Sequence, residues 1–274
     1  MRTLLRRPYA FLARDFLTEV SYPVSFAVQI VGVLFSATLF YFIALALGSA
    51  ASPYLETYGG DYFAFVLIGI AFGSYFGVGV QAFARALREA QTSGTLEAML
   101  MTPSRVSTII LSSAIWAHLF TTLRVLMYLL FGVALFGLRL GGANYLGALA
   151  ALLLSIVSFS SIGIMAASFT MLFKRGDPVT SLLSSGVNLL SGVFFPVEIF
   201  AVQAPWLMPV AQLLPLTYAL RAMRLALLQQ ATWDVLVPDL LALAVFAVVL
   251  LPLSLLIFRW TVDRARQDGS LTHF

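Results

Sequence analysis

Arg124 is the one charge set deep within an apolar run of this sequence, and its residue type limits what it can do. A guanidinium at mid-membrane costs roughly 2.5–3.5 kcal/mol on insertion scales, so it must face protein or water. Thr121 and Tyr128 share its helical face. It either lines a pathway as a fixed cation or bonds the carbonyls of a neighbouring span. A second polar set recurs at helical spacing, Thr180, Ser184, Asn188 and Ser191, and is widened by Ser181, Ser185, Gly186 and Gly192. Hydroxyls and amides glue membrane helices at about 1 kcal/mol or less per contact. The narrower stripe Ser155, Ser158, Ser161 and Ser168 reads as such glue, whereas the wider arc favours a cavity or a subunit interface. A third set, Gly69, Gly73 and Gly77 with Gln81 next, lets another helix approach closely; packing accounts for it without a substrate.

Other chemistry is missing. His118 and His273 are the only histidines, so no histidine–carboxylate metal set can form, and His118 and Trp116 read as packing or interface residues. Without cysteine there is no disulfide and no thiolate nucleophile. Glu56, Asp61, Glu198, Asp234 and Asp239 fall at the outer edge of the apolar runs, leaving no carboxylate in a span interior to relay protons. These absences argue against a membrane protease, an oxidoreductase or a proton-coupled carrier. No catalytic residue and no metal site are expected.

The elements that position these residues are apolar runs at 24–47, 62–83, 109–136, 145–173, 179–195 and 237–258, five of them long and apolar enough outright and a sixth added by charge placement. About 20 apolar residues span ~30 Å of hydrocarbon as a helix. Hydrophobic residues make up 61% of the chain and charged ones 10%, which leaves almost no soluble mass. With six spans and both ends inside, twelve of the sixteen basic residues fall on inner segments. Arg139, Arg221 and Arg224 fall outside and Arg124 lies within a span, a distribution that fixes the orientation. The net charge of +4 is therefore topology, not a nucleic-acid site. Arg, Asp and Glu interrupt the N-terminus up to Glu19, so no signal peptide is expected there.

The expected fold is thus an all-α polytopic membrane protein with three regions. Residues 1–23 form a cytoplasmic N-terminus whose amphipathic helix, 8–20, lies on the inner surface. Residues 24–258 form a six-span domain, and 259–274 a cytoplasmic tail. Between spans five and six, Pro196, Pro205, Pro209 and Pro215 cut residues 196–236 into pieces too short to cross. Two or three short helices dipping into the outer leaflet are expected there, buried in protein or lining a cavity.

One sizeable inner loop remains, 84–108. Its centre reads Gly94-Thr95-Leu96-Glu97-Ala98-Met99-Leu100-Met101-Thr102-Pro103. A short helix over 95–101 would hold Leu96, Met99 and Leu100 on one face with Glu97 beside them. Such an exposed apolar helix is a docking element for a cytoplasmic partner.

That run resembles the signature of the ABC-2-type transporter permeases, the type V ABC exporter fold, where it forms the coupling helix. Phe194-Phe195-Pro196 and Leu214-Pro215-Leu216-Thr217-Tyr218-Ala219-Leu220-Arg221 resemble the same family, as does the plan of interfacial helix, six spans and outer re-entrant helices. Ala201 departs from it, standing where many relatives carry a second proline. The resemblance implies that Gly94, Thr95, Leu96, Glu97, Met99 and Leu100 dock a separate cytoplasmic ABC ATPase. It places Phe195, Pro196, Pro215 and Tyr218 in the re-entrant turns. It also implies a second permease copy, most simply a homodimer, with Ser184, Asn188, Ser191 and Arg124 as pathway candidates.

ATP and Mg would bind the ATPase, because this chain has no Gly-x-x-x-x-Gly-Lys-[Ser/Thr] loop and its only lysine, Lys174, precedes Arg175 and Gly176. The implied machine is an exporter in a bacterial or archaeal cytoplasmic membrane, with both termini cytoplasmic and lipids as its neighbours. Its substrate would be amphiphilic or hydrophobic, a drug-like molecule or a lipid, with a lipid-linked or free glycan as the alternative. A non-transporting scaffold and an ATP-independent carrier are the competing classes; neither needs the inner docking helix.

Overall fold

The computed structural model describes residue 21 and residues 23–92, 106–173 and 177–267. The expected interfacial helix at 8–20, the docking helix at 95–101 and the end of the tail lie outside the described residues. What is described is helical throughout. In chain order the helices are α1 Pro23–Ala51, α2 Tyr62–Thr92, α3 Val106–Phe136, α4 Tyr145–Phe173 and α5 Asp177–Leu190. They continue with α6 Glu198–Gln203, α7 Met208–Gln212, α8 Pro215–Leu228 and α9 Trp233–Gln267. Single 3-10 turns, Ser52–Tyr58 and Pro205–Leu207, precede α2 and α7.

Five of these, α1, α2, α3, α4 and α9, are long and apolar enough to cross a bilayer, and the chain is a multi-pass membrane protein. The run at 179–195 behaves differently. Its helix has 14 residues, about 21 Å at 1.5 Å per residue, which falls short of the ~30 Å hydrocarbon core. Gly192 ends it: its φ is +81°, and a Cβ there would lie 2.8 Å from Val197 Cγ1 and 2.9 Å from the Phe195 carbonyl oxygen. A left-handed glycine just past a last helical turn is a helix stop. Another difference is at α9, which starts at Trp233 rather than 237 because the Thr232 carbonyl accepts from the amides of Val235 and Leu236.

Burial ranks the helices. In the apolar window of α2, 78% is buried within the chain, against 11% for α1 and 17% for α9. So α2 is the central post, and α1 and α9 turn most of their surface outward. Phe65, Leu67, Ile68, Tyr75 and Phe76 of α2 are fully buried. Against it pack α1, α3, α4, α5 and α8, while α9 packs on α4 and α8. The α2–α4 crossing is closest at two glycines: a Cβ on Gly163 would sit 1.9 Å from the Gly79 carbonyl oxygen. Only glycine at both helices allows that approach.

The connections before α2, before α4 and around α8 gather at one end of the bundle. Asn144 N–H donates to the Ala226 carbonyl at 2.9 Å, Gln230 to the Gly141 carbonyl at 2.8 Å, and Tyr58 to Glu198 at 2.9 Å. Prolines open three of the short elements here: Pro205 the 3-10 turn, Pro209 in the first turn of α7, and Pro215 at the start of α8. The missing N–H costs nothing at a first helical turn.

Candidate functional site

The glycine face of α2 and the end of α5 meet. A Cβ on Gly69 would lie 2.2 Å from the Val193 carbonyl oxygen, and one on Gly73 would lie 3.1 Å from Asn188 Oδ1. Gly77 differs, with nothing within 4 Å of its Cβ position. Ser184 is buried and donates to the Thr180 carbonyl at 2.9 Å. Asn188 Oδ1 and Ser191 Oγ are buried atoms with no hydrogen-bond partner among the described residues. A buried acceptor left unpaired costs about 1–3 kcal/mol, and two of the three such side-chain atoms among the described residues lie at the end of α5, the third being Thr261 Oγ1 on α9.

Just above that seam lies a charged cluster. Arg224, on α8, is 2% exposed; its Nε donates to the Phe65 carbonyl at 3.2 Å and its Nη2 to the Val193 carbonyl at 3.0 Å. Its guanidinium carbon stands 3.4 Å from the centroid of the Phe65 ring and 5.9 Å from that of Tyr58. The cation is thereby bonded to the polar ends of two other segments and faces an aromatic ring. Burial pushes the guanidinium down to about 9, with nearby Tyr58 and Glu198 opposing the shift, so Arg224 keeps its charge at neutral pH. One turn earlier, Arg221 Nε lies 2.9 Å from each oxygen of Asp239 on α9. That bond raises the Arg221 guanidinium above its ordinary range, although burial opposes it. Burial, and then Glu198, push the Tyr58 hydroxyl up. Arg224 thus joins α2, the turn after α5 and α8, and Arg221 joins α8 to α9.

Sequence reading placed Arg221, Arg224 and Asp239 on the outer side without naming partners for them; Arg224 and Asp239 are buried inside the protein. A usable signal existed. Arg221 and Arg224 are three apart on an otherwise apolar helix, with Tyr218 three residues before them, so they share one face.

Arg124 belongs to a different place. It lies on α3 facing α1, where Nη2 donates to Gln29 Oε1 at 2.7 Å and the Phe120 ring lies 5.9 Å away. Its partner is therefore a side chain, not a carbonyl. His118 is buried between α3 and α4, with Nε2 3.3 Å from Ser160 Oγ. Ser155, Ser158, Ser161 and Ser168 each donate to a carbonyl one turn earlier on α4. Ser158 also lies 3.3 Å from the Leu243 carbonyl of α9.

In the re-entrant segment, Phe195 meets Phe200 edge to face, and Pro196 and Pro215 are buried. Tyr218 donates to the Gln212 carbonyl at 2.9 Å. Gly94, Thr95, Leu96, Glu97, Met99 and Leu100 lie outside the described residues. Among the described residues no group of three His, Asp or Glu side chains could hold a metal ion.

The family described as ABC-2 type transporter matches residues 9–228 of the chain. That stretch runs from before α1 to the end of α8 and includes the inner loop and the charged cluster except Asp239. No curated protein matches the chain.

Proposed function

The chain belongs to the ABC-2 type transporter family as the permease component of an ABC transporter, and on that premise we propose that it exports an amphiphilic or hydrophobic molecule. The observation that carries the reading is the family match across residues 9–228, most of the chain. Permeases of this family work with an ATPase subunit. In this reading the ATPase binds ATP and Mg, docks on residues 95–101, and serves two permease copies. Both termini face the cytoplasm, and six crossings are made, with α5 as the fifth.

Helix geometry supports the sixth crossing. From the far end of α4 the chain must return to the end where α6–α8 and the start of α9 lie. The end of α5 meets α2 at Gly69 and Gly73, seven and eleven residues from Tyr62, about 10–17 Å below that surface. Residues 191–197 complete the passage as turns, buried by α2 and α8, as irregular backbone at such depth must be.

The mechanism follows from α2. Its 31 residues form a rod of about 46 Å whose inner end leads into the docking loop. Closure of the ATPases would push on 95–101 and move α2 along or about its axis. The α2–α5 seam yields first, because it contains unpaired polar atoms in place of bonds. Arg224 carries the same displacement to α8 at the outer surface. The polar arc of α5 has hydroxyls and an amide but no charge, which suits an amphiphile rather than an ion.

The test is coupled transport. Inside-out vesicles holding the permease and its ATPase should take up a fluorescent amphiphile in an ATP-dependent manner. Leu96→Asp should abolish uptake and co-purification while membrane insertion persists. Undiminished ATP-driven uptake by that variant would overturn the docking assignment.

A further inference from the structure

We propose that the cleft between α1 and α3 at Arg124 is a binding site for the phosphate of an anionic phospholipid in the inner leaflet. The cleft is open and shallow, a surface groove rather than an enclosed cavity, and is lined by Phe26, Gln29, Ile30, Leu123, Arg124 and Met127, among others. The proposal takes its leaflet from the orientation given above; the chemistry does not depend on it.

Charge is the first argument. Arg124 carries five N–H donors, and among the described residues its hydrogen bond goes to one neutral amide oxygen. A partly exposed guanidinium at this depth, with donors to spare, suits an anion. The described part of the chain supplies none in the cleft. Its acidic residues lie outside the apolar runs except for Asp239, which is engaged by Arg221 at the opposite, outer end.

Depth is the next. Arg124 is twelve residues before the outer end of α3, about 18 Å below it. Helical side chains lean toward the N-terminus, which is the inner end of α3. Gln29, its partner, is six residues from the start of α1, about 9 Å from that inner end. The guanidinium is therefore drawn toward the inner headgroups, within reach of a lipid phosphate by snorkelling. The flanking surface suits acyl chains: Val28 and Val31 of α1, and Leu119, Leu123 and Leu126 of α3, are all exposed. A planar guanidinium binds phosphate through two parallel bonds, whereas a choline headgroup adds a cation beside it.

The experiment uses the full chain in detergent, titrated with phosphatidylglycerol and phosphatidylcholine of identical acyl chains and read by native mass spectrometry. Phosphatidylglycerol should bind more tightly. Arg124→Gln should weaken it by about tenfold, the scale of one charge-assisted hydrogen bond, and leave phosphatidylcholine unchanged. Arg124→Lys should fall between. Arg139→Gln, on the exposed outer connection, should change neither lipid. Equal binding of the two lipids by the wild-type chain, or undiminished phosphatidylglycerol binding by Arg124→Gln, would overturn the proposal. So would a shift in the monomer–dimer ratio of Arg124→Gln with its lipid binding intact, which would make the cleft a seam between copies. Should Arg124→Gln fail to fold, Leu123→Trp places a reporter in the cleft. Brominated phosphatidylglycerol should quench it more than brominated phosphatidylcholine, and equal quenching would refute the site. No ATPase or transport enters these measurements, so their failure would leave the exporter reading standing, and the reverse.

Discussion

Arg224 grips Phe65 twice, stacking its guanidinium 3.4 Å from the ring centroid while its Nε donates to the same residue's carbonyl at 3.2 Å. These two residues are 159 apart in sequence, one near the start of α2 and the other on α8. The contact fixes both the distance and the rotation of α8 against the central helix. With Nη2 on Val193, a single side chain closes the triangle between α2, the end of α5 and α8. Gly69 makes room for it, since a Cβ there would stand 2.6 Å from Arg224 Nη2.

Replacing Arg224 by Lys should therefore be costly despite conserving the charge. An ammonium cannot present the planar fork to two carbonyls and a ring together. At least one buried carbonyl loses its partner, at a cost of about 1–3 kcal/mol. Thermal unfolding of the purified protein should move down clearly for Arg224→Lys. An unchanged melting temperature would mean that the cluster contributes no stability.

The glycines should separate into two classes. Gly163→Ala puts a methyl group 1.9 Å from a carbonyl of α2, and Gly69→Ala puts one 2.2 Å from a carbonyl of the turn after α5. In both the obstacle is backbone, so a helix must shift, and loss of about 1–3 kcal/mol is expected by analogy with overpacked cores. Gly77→Ala meets nothing and should leave monomer stability unaltered. If Gly77→Ala instead disrupts dimers on size exclusion while the monomer stays folded, that open strip is where the second copy packs.

The division of the chain into long apolar helices and a proline-cut outer segment was legible in the sequence, because run length and proline spacing are local properties. The limit of α5 was not. Residues 179–195 read as one continuous run, yet Ser191-Gly192 stops the helix at Leu190 through a positive φ that hydropathy does not register. Likewise the every-fourth glycine stripe of α2 drew attention to Gly77, which touches nothing, and away from Gly79, which forms the tightest crossing. Periodicity identifies a face but not its neighbour. Burial of Arg224 was hidden for a related reason: its partners are two backbone carbonyls and a ring, and a carbonyl carries no sequence signature. Asn188 and Ser191 were recognisable as polar residues in an apolar helix. That Asn188 faces Gly73 of α2 followed only once α5 was placed.

Orientation gives a third test. The charge bias puts residue 270 inside, and the cluster of connections around α8 puts Thr232 at the opposite end, where its side chain is exposed. Single cysteines at Ser270 and Thr232, introduced into a chain that has none, should react with a membrane-impermeant maleimide from opposite faces. Labelling of Thr232→Cys and Ser270→Cys from the same face would mean that α9, the one helix between them, does not cross.

The last prediction concerns the seam at Asn188 and Ser191. Both side chains hold buried polar atoms without partners among the described residues, while the fully buried Ser158 on α4 lies within hydrogen-bond distance of two carbonyls. A conformation that leaves two such atoms unpaired forfeits on the order of 1–3 kcal/mol for each, so one in which α2 and α5 part and water or substrate reaches them lies close in energy. Ser191→Cys should accordingly react slowly with a small soluble thiol reagent in the resting protein. Reaction should be faster when the partner ATPase is held closed by a non-hydrolysable nucleotide. Ser158→Cys should stay unreactive in both states, since Ser158 is fully buried and already lies within reach of the Leu154 and Leu243 carbonyls. Asn188→Leu removes an unpaired oxygen and adds apolar surface at the seam. It should leave the melting temperature unchanged or slightly raised while lowering ATP-driven transport, because the closed seam gains stability relative to the open one. Equal reactivity of Ser191→Cys with and without nucleotide, together with normal transport by Asn188→Leu, would place the moving contact elsewhere in the bundle.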